Sequence, residues 1–184
     1  MDTLLREPLT TESFLAWEDG QEGKHEFDGT CVIEMTGGSY AHQRIVINLV
    51  MLLLGRLPPE LSVIQEMRIR IGAKVRYPDV CVFSGHVPPT RRTLTEAVTV
   101  FEVLSDDTAT TDRAVKLDEY AGIAGIRYYV LVEQDRVGLT VHRRRDGSWE
   151  TSTVASGALS LPDLDVDLPI HAIYAGLRLP QSRT

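Results

Sequence analysis

"TVFEVLS", residues 99–105, reads as a buried strand with one residue out of place. Val100, Phe101, Val103 and Leu104 suit a pleated, covered surface, yet Glu102 stands between Phe101 and Val103. Burying even a neutral polar group without a partner costs about 2–7 kcal/mol, and an unpaired carboxylate costs more. Glu102 in the middle of an apolar run therefore requires a cation or a hydrogen-bond donor from elsewhere in the chain. The bland reading is a structural glutamate that caps N–H groups or pairs with a strand arginine, Arg68 or Arg70.

The segments around this strand alternate between helix and sheet. Thr10 is placed to cap a short helix, "TESFLAWED", that docks through Phe14, Leu15 and Trp17. "KHEFDGTCVIEM" predicts a hairpin with a tight turn at Asp28-Gly29. The main apolar helix is expected from Ala41 to Leu57, stopped by Pro58-Pro59. "LSVIQEMRIRIG" alternates with period two and predicts one strand, "VRYPDVCVF" a second, and the Glu102 segment a third. A polar loop, "DDTATT", precedes a helix expected from Asp112 to Ala121 and closed by Gly122. "IRYYVLVE" is a further strand, "GLTVHRR" and "SWETSTV" pair across Asp146-Gly147, and the tail supplies an extended edge and a short helix. The pattern is mixed α/β, a sheet flanked by helices.

With 184 residues the chain has the length of one domain, residues 1–184, with a core from about 10 to 177. Its 43% hydrophobic and 24% charged residues are those of an ordinary globular protein. The opening "MDTLLREPLT" lacks the basic-then-apolar order of a secretory signal, and the most apolar run, "IVINLVMLLL" at 45–54, is half the length of a bilayer crossing of about 20 residues. A cytoplasmic protein with no membrane partner is expected. Cys31 and Cys81 have no Cys or His at metal-ligand spacing, so neither a disulfide framework nor a zinc site is signalled. A net charge of -7 argues against holding nucleic acid by bulk electrostatics. A local basic face could still form from Arg68, Arg70, Lys74 and Arg76 with Arg143, Arg144 and Arg145, or these could be a solvated sheet edge.

Alternation places Asp79, Cys81 and Phe83 on one face of their strand, and Val100, Glu102 and Leu104 on one face of theirs. If the two strands pair in the right register, Asp79 and Glu102 lie side by side. Two carboxylates held together repel and are stable when a divalent cation or a lysine sits between them. Magnesium takes one or two carboxylates, keeps waters and is completed by phosphate oxygens. Such an ion can activate water for attack on a phosphodiester.

A Pro-Asp at a strand start, followed by a strand with a buried Glu on a mixed sheet, resembles the restriction-endonuclease-like, PD-(D/E)xK superfamily. Within it, "HEFDG", "AHQRIVINL", "YPDVCVF", "FEVLS", "DRAVKLDEYAGI" and "RYYVLV", in that order, are similar to the Uma-type family of bacterial endonucleases. The resemblance implies a magnesium-dependent cut in DNA, with manganese as a substitute, by Asp79 and Glu102 as metal ligands, and a homodimer that treats both strands of a duplex. The superfamily pattern has a lysine two residues after the second acid, where this chain has Leu104. The matching lysine of the Uma-type pattern lies on the following helix, at Lys116, with the role of orienting water and stabilising charge on the phosphate. Glu26 and His42 match further polar positions of that pattern.

Each of these residues also has a bland reading. Asp79 after Pro78 is ordinary turn chemistry. Lys116 can pair on the surface with Asp112, on the flank of an apolar stripe of Ala114, Leu117 and Ala121. His42 can be structural, Glu26 a solvated strand residue, and Ser105 a strand cap. His25, His86, His142 and His171 form no ligand spacing. Beside the nuclease stand two rival functions: a catalytically silent nucleic-acid or protein interaction module on the same fold, and a hydrolase of small phosphorylated substrates.

Overall fold

The computed structural model describes residues 10–105 and 115–179. The expected polar loop at 106–111 and the Asp112–Ala114 start of the expected helix, with the Asp112 to Lys116 pair, lie outside the described residues.

Helix α1 (Thr11–Glu18) begins as the sequence predicts. Thr10 accepts a hydrogen bond from the Ser13 N–H, and Ser13 returns one from the Thr10 N–H. Strands β1 (His25–Phe27) and β2 (Val32–Glu34) form the expected hairpin. Its loop spans four residues, however, because the Asp28 carboxylate gathers the N–H groups of Thr30 and Cys31 at 2.8 and 2.6 Å, and only Gly29 takes positive φ. Helix α2 (Tyr40–Leu54) ends on Gly55, before the two prolines are reached.

The two long alternating segments are each divided. Strands β3 (Leu61–Gln65) and β4 (Arg68–Ile71) come from the first, and β5 (Lys74–Arg76) and β6 (Val80–Ser84) from the second. The pairs β3 with β6 and β4 with β5 are antiparallel and share one continuous register, turning at Gly72-Ala73. The ribbon breaks where Glu66 takes φ 49° opposite Asp79, beside Pro78, which has no N–H to donate. Its outer half joins one sheet and its inner half another.

Strand β7 (Thr93–Leu94), in the Pro- and Arg-containing connection that follows β6, pairs in parallel with β4. The five-stranded sheet thus has the order β2-β1-β5-β4-β7. With β8 (Thr99–Leu104), β9 (Tyr128–Glu133), β10 (Leu139–Arg145) and β11 (Ser148–Val154), the six-stranded sheet has the order β11-β10-β9-β8-β6-β3. Strands β8 and β9 run parallel, and β10 turns into β11 over Asp146-Gly147, both at positive φ as the dipeptide predicts. Strands β12 (Ala158–Leu161) and β13 (Val166–Pro169) form a separate pair, followed by the short helix α4 (Ile170–Ile173).

Both faces of the six-stranded sheet are covered. On one, Ile45, Val46, Leu49 and Leu53 of α2 pack on Val80, Val82, Phe101 and Val103, with β12, β13 and α4 beside them. On the other, Cys81, Val100, Leu104, Tyr129 and Leu131 meet Ile69, Ile71 and Tyr120, the last from helix α3 (Lys116–Ala121). Every residue of β8 is buried. Among the described residues no helix is long and apolar enough to cross a membrane.

Candidate active site

The break in the ribbon opens a cleft of about 710 Å³ between the two sheets, and Asp79 stands at the break. Strand β6 pairs with β8 through Val80 to Phe101 and Cys81 to Val100, and one further step along this register sets Asp79 against Glu102. The pairing that alternation left conditional is therefore met. The Val103 N–H donates to Asp79 Oδ2 at 2.6 Å, and the Asp79 N–H approaches Glu102 Oε2 at 3.4 Å. Glu102 is 3% exposed.

The cation on Glu102 is Lys116, not a strand arginine. Its Nζ lies 3.1 Å from Glu102 Oε1 and 3.4 Å from Glu26 Oε1, and the residue is 5% exposed. The inward face of α3 is Lys116, Glu119 and Tyr120, whereas Leu117 is half-buried. The stripe expected from the apolar residues is thus displaced: Glu102 draws in Lys116 and Tyr120, and Arg76 with Lys74 draws in Glu119. Tyr120 donates to Glu102 Oε1 at 3.0 Å, and burial, with Glu102 beside it, raises its hydroxyl well above the usual tyrosine range and keeps the proton on oxygen.

Glu26 is buried in the same cluster. Its Oε1 accepts the Tyr77 N–H and its Oε2 accepts Arg76 Nη1, each at 3.1 Å. Arg76, 1% exposed, also grips Glu119 with Nε and Nη2 at 2.7 and 2.8 Å, and Lys74 adds a bond to Glu119 at 2.8 Å. His42 lies in the first turn of α2, where Ser39 caps its N–H, and its Nε2 is 3.1 Å from Asp79 Oδ1. Burial opposes the imidazolium, but the Asp79 carboxylate prevails and raises the His42 pKa. Gly38 has no room for a side chain, since a Cβ there would stand 2.6 Å from the His42 ring. Ser105, just beyond β8, lines the cleft with Glu26, His42, Asp79, Glu102 and Lys116. All six candidate residues thus border one space.

Tyr120 and Glu119 are site residues beyond those the sequence points to, and Arg76 belongs to the site and not to a basic face. The signal for Tyr120 is its spacing of four from Lys116 on one helix face. Cys81 is the nearest thiol, and burial followed by the Glu102 charge pushes it up to about 12, so it is no nucleophile at neutral pH.

The residues of the expected basic footprint are engaged by other groups of the protein, Arg68 and Arg76 in its interior and Arg70 and Arg145 at its surface. Arg68 pairs with Glu18 and Asp19, Arg70 with Glu12, and Arg143 with Asp163. Arg144 donates to carbonyls at the end of α3 and lies over the Trp149 ring, and Arg145 pairs with Glu150.

Among the described residues, the carboxylates of Glu26, Glu102 and Glu119 meet Lys74, Arg76 and Lys116. Asp79 pairs with the His42 imidazole. Among the described residues no three His, Cys, Asp or Glu side chains gather as a metal cage. Two hard oxygen ligands at a water-accessible cleft suit magnesium, which keeps part of its hydration, and not the closed nitrogen and sulfur sites of structural zinc.

The cluster also predicts an acid response. Burial alone would raise the Glu119 pKa, but Arg76 and Lys74 outweigh it and hold the carboxyl below its ordinary 4.5. A depressed folded-state pKa adds stability above the unfolded value, and that stability is lost as pH falls through the folded one. The unfolding midpoint in urea should therefore fall below about pH 4.5, and Glu119→Gln should flatten that part of the profile. An unchanged slope in the variant would assign the acid response to other carboxylates.

The fold and the cleft define a restriction-endonuclease-like α/β protein, with a carboxylate pair and a lysine where its two sheets part. The chain belongs to the Uma2 family, whose model, described as "Putative restriction endonuclease", matches residues 11–171. It is 32% identical over 179 residues to the uncharacterized protein slr1290 of Synechocystis, covering 92% of this chain and 93% of that one. A crystal structure described as a "putative nuclease belonging to DUF820", from Anabaena variabilis, superposes with a TM-score of 0.76 at 18% identity. The match covers 91% of this chain and 98% of that one, and at this identity it speaks for the fold.

Proposed function

We propose that this protein is a magnesium-dependent endonuclease that hydrolyses phosphodiester bonds in DNA. The observation that carries the reading is the meeting of Asp79 and Glu102 across β6 and β8, with Lys116 on Glu102, in one cleft. The family and the fold add support. Asp79 and Glu102 would hold the metal, which when bound supplies charge for the phosphate oxygens and an acidified water. Lys116, paired with two carboxylates, orients water and meets the negative charge that grows on the phosphate. Asp79 is kept in place by His42 and by the Val103 N–H, and Glu26 holds the lysine close to Glu102. A two-fold dimer in the cytoplasm belongs to the same reading, since two antiparallel strands call for two sites related by symmetry.

A specific observation favours a second reading. Arg68, Arg70, Lys74 and Arg143, which could grip a DNA backbone, are ion-paired within the protein, as a silent interaction module would allow. Manganese titration by calorimetry at low salt, on the wild type and on Glu102→Ala, separates the two. The nuclease reading expects about one ion per chain in the wild type, at least tenfold weaker binding in the variant, and metal-dependent nicking of plasmid DNA. No heat in either protein would put the module first.

A further inference from the structure

Two donors of α3 converge on a single oxygen of Glu102. Lys116 opens the helix and Tyr120 follows one turn later on the same face; their distances to Oε1 are 3.1 and 3.0 Å. The lysine brings charge. The tyrosine brings direction without charge, from a ring that is 0% exposed and tilted against Tyr129 at 5.2 Å. Ile69, Ile126 and Leu131 belong to the same buried cluster. A hydroxyl so deeply placed needs an acceptor, and an O–H on a carboxylate is among the stronger hydrogen bonds.

We propose that Tyr120 is a positioning residue that aims the Glu102 carboxylate at the cation. This rests on the metal-site reading of Asp79 and Glu102. With Oε1 held by the phenol and the ammonium, the plane of the carboxylate is set and Oε2 is turned to the start of β6, where the Asp79 N–H approaches it. The lysine is a poor sole anchor for this purpose, because its long stem is shared with Glu26 and its work lies with the substrate. The phenol has two side-chain torsions and a packed ring, so it holds the oxygen whether or not the lysine has moved. Partners of metal ligands act in this way: they orient the ligand and raise affinity without touching the ion.

The test compares three proteins: wild type, Tyr120→Phe, and Tyr174→Phe. Tyr174 is a second buried tyrosine, whose hydroxyl bonds the Gly138 and Glu133 carbonyls on the opposite face of the sheet. Manganese affinity is read by calorimetry, the symmetry of the bound ion by its paramagnetic resonance spectrum, and stability by the urea midpoint. The expected pattern is about 10- to 100-fold weaker manganese binding and an altered spectrum in Tyr120→Phe alone, with a similar midpoint loss in both variants. Wild-type affinity and spectrum in Tyr120→Phe would overturn the proposal, as would equal losses of affinity in both variants. A wild type that binds no manganese would overturn the metal site itself, and the proposal with it.

Discussion

Lys116→Met is expected to lower plasmid cleavage about 100- to 1,000-fold while the protein still binds manganese, which is the usual scale for losing one group that stabilises transition-state charge. Methionine keeps the length and the apolar stem and removes only the ammonium. Without it, Glu26 and Glu102, which share that ammonium, face one another across a buried space with like charge. Two opposing results follow from the same change. The metal-free protein should lose stability, because breaking a buried pair leaves charge uncompensated. The divalent ion should become a stronger stabiliser, because it no longer competes with an ammonium for Glu102. A ligand that binds only the folded state adds about 2.7 kcal/mol at 100 times its dissociation constant, so the rise in melting temperature on adding manganese should be larger in the variant than in the wild type. Cleavage at the wild-type rate would remove Lys116 from the chemistry and leave it a structural counter-ion.

Arg76→Met should be the most damaging stability change among the charged residues of the site, costing about 3–5 kcal/mol. Natural domains hold only about 5–15 kcal/mol in all, so the variant would sit near the edge of folding. The guanidinium is 1% exposed and forms three hydrogen bonds to two buried carboxylates, at 2.7, 2.8 and 3.1 Å. Those carboxylates hold its pKa up against burial, which would otherwise lower it. Its removal leaves Glu119 with the half-exposed Lys74 and Glu26 with the shared Lys116. The measurement is urea unfolding of Arg76→Met beside the double variant Arg76→Met/Glu119→Leu. The double variant should recover part of the loss, since deleting both partners of a buried pair costs less than orphaning one. A loss below about 1 kcal/mol in the single variant would mean that desolvation already cancels the attraction.

Much of the fold is legible along the chain because it is set by neighbours in sequence. The Thr10 cap, the Asp146-Gly147 turn and the alternation that puts Asp79 with Cys81 and Glu102 with Leu104 are local matters of hydrogen bonding, backbone freedom and pleat. The site residues were legible for a related reason. Asp79 and Glu102 violate the apolar pattern of their strands, and such violations mark function more often than chance. The order of motifs around them matched a family to which the chain belongs.

What remained hidden is non-local. A period of two assigns a residue to a face but not to a sheet, so "LSVIQEMRIRIG" reads as one strand when it serves two sheets on either side of Glu66. Composition counts Arg68 and Arg76 with the solvent-facing cations, yet both are buried, because their carboxylate partners lie some 43 to 50 positions away. Helix α3 turns its polar residues inward because Glu102 on β8 binds Lys116 and Tyr120 and the β5 cations Arg76 and Lys74 bind Glu119. The sequence by itself determined which residues break the apolar pattern and which faces they share, since pleat and helical period are properties of a single segment. Only the tertiary structure decided who neutralises whom, since a buried charge is compensated by whatever the folded chain brings within hydrogen-bonding distance.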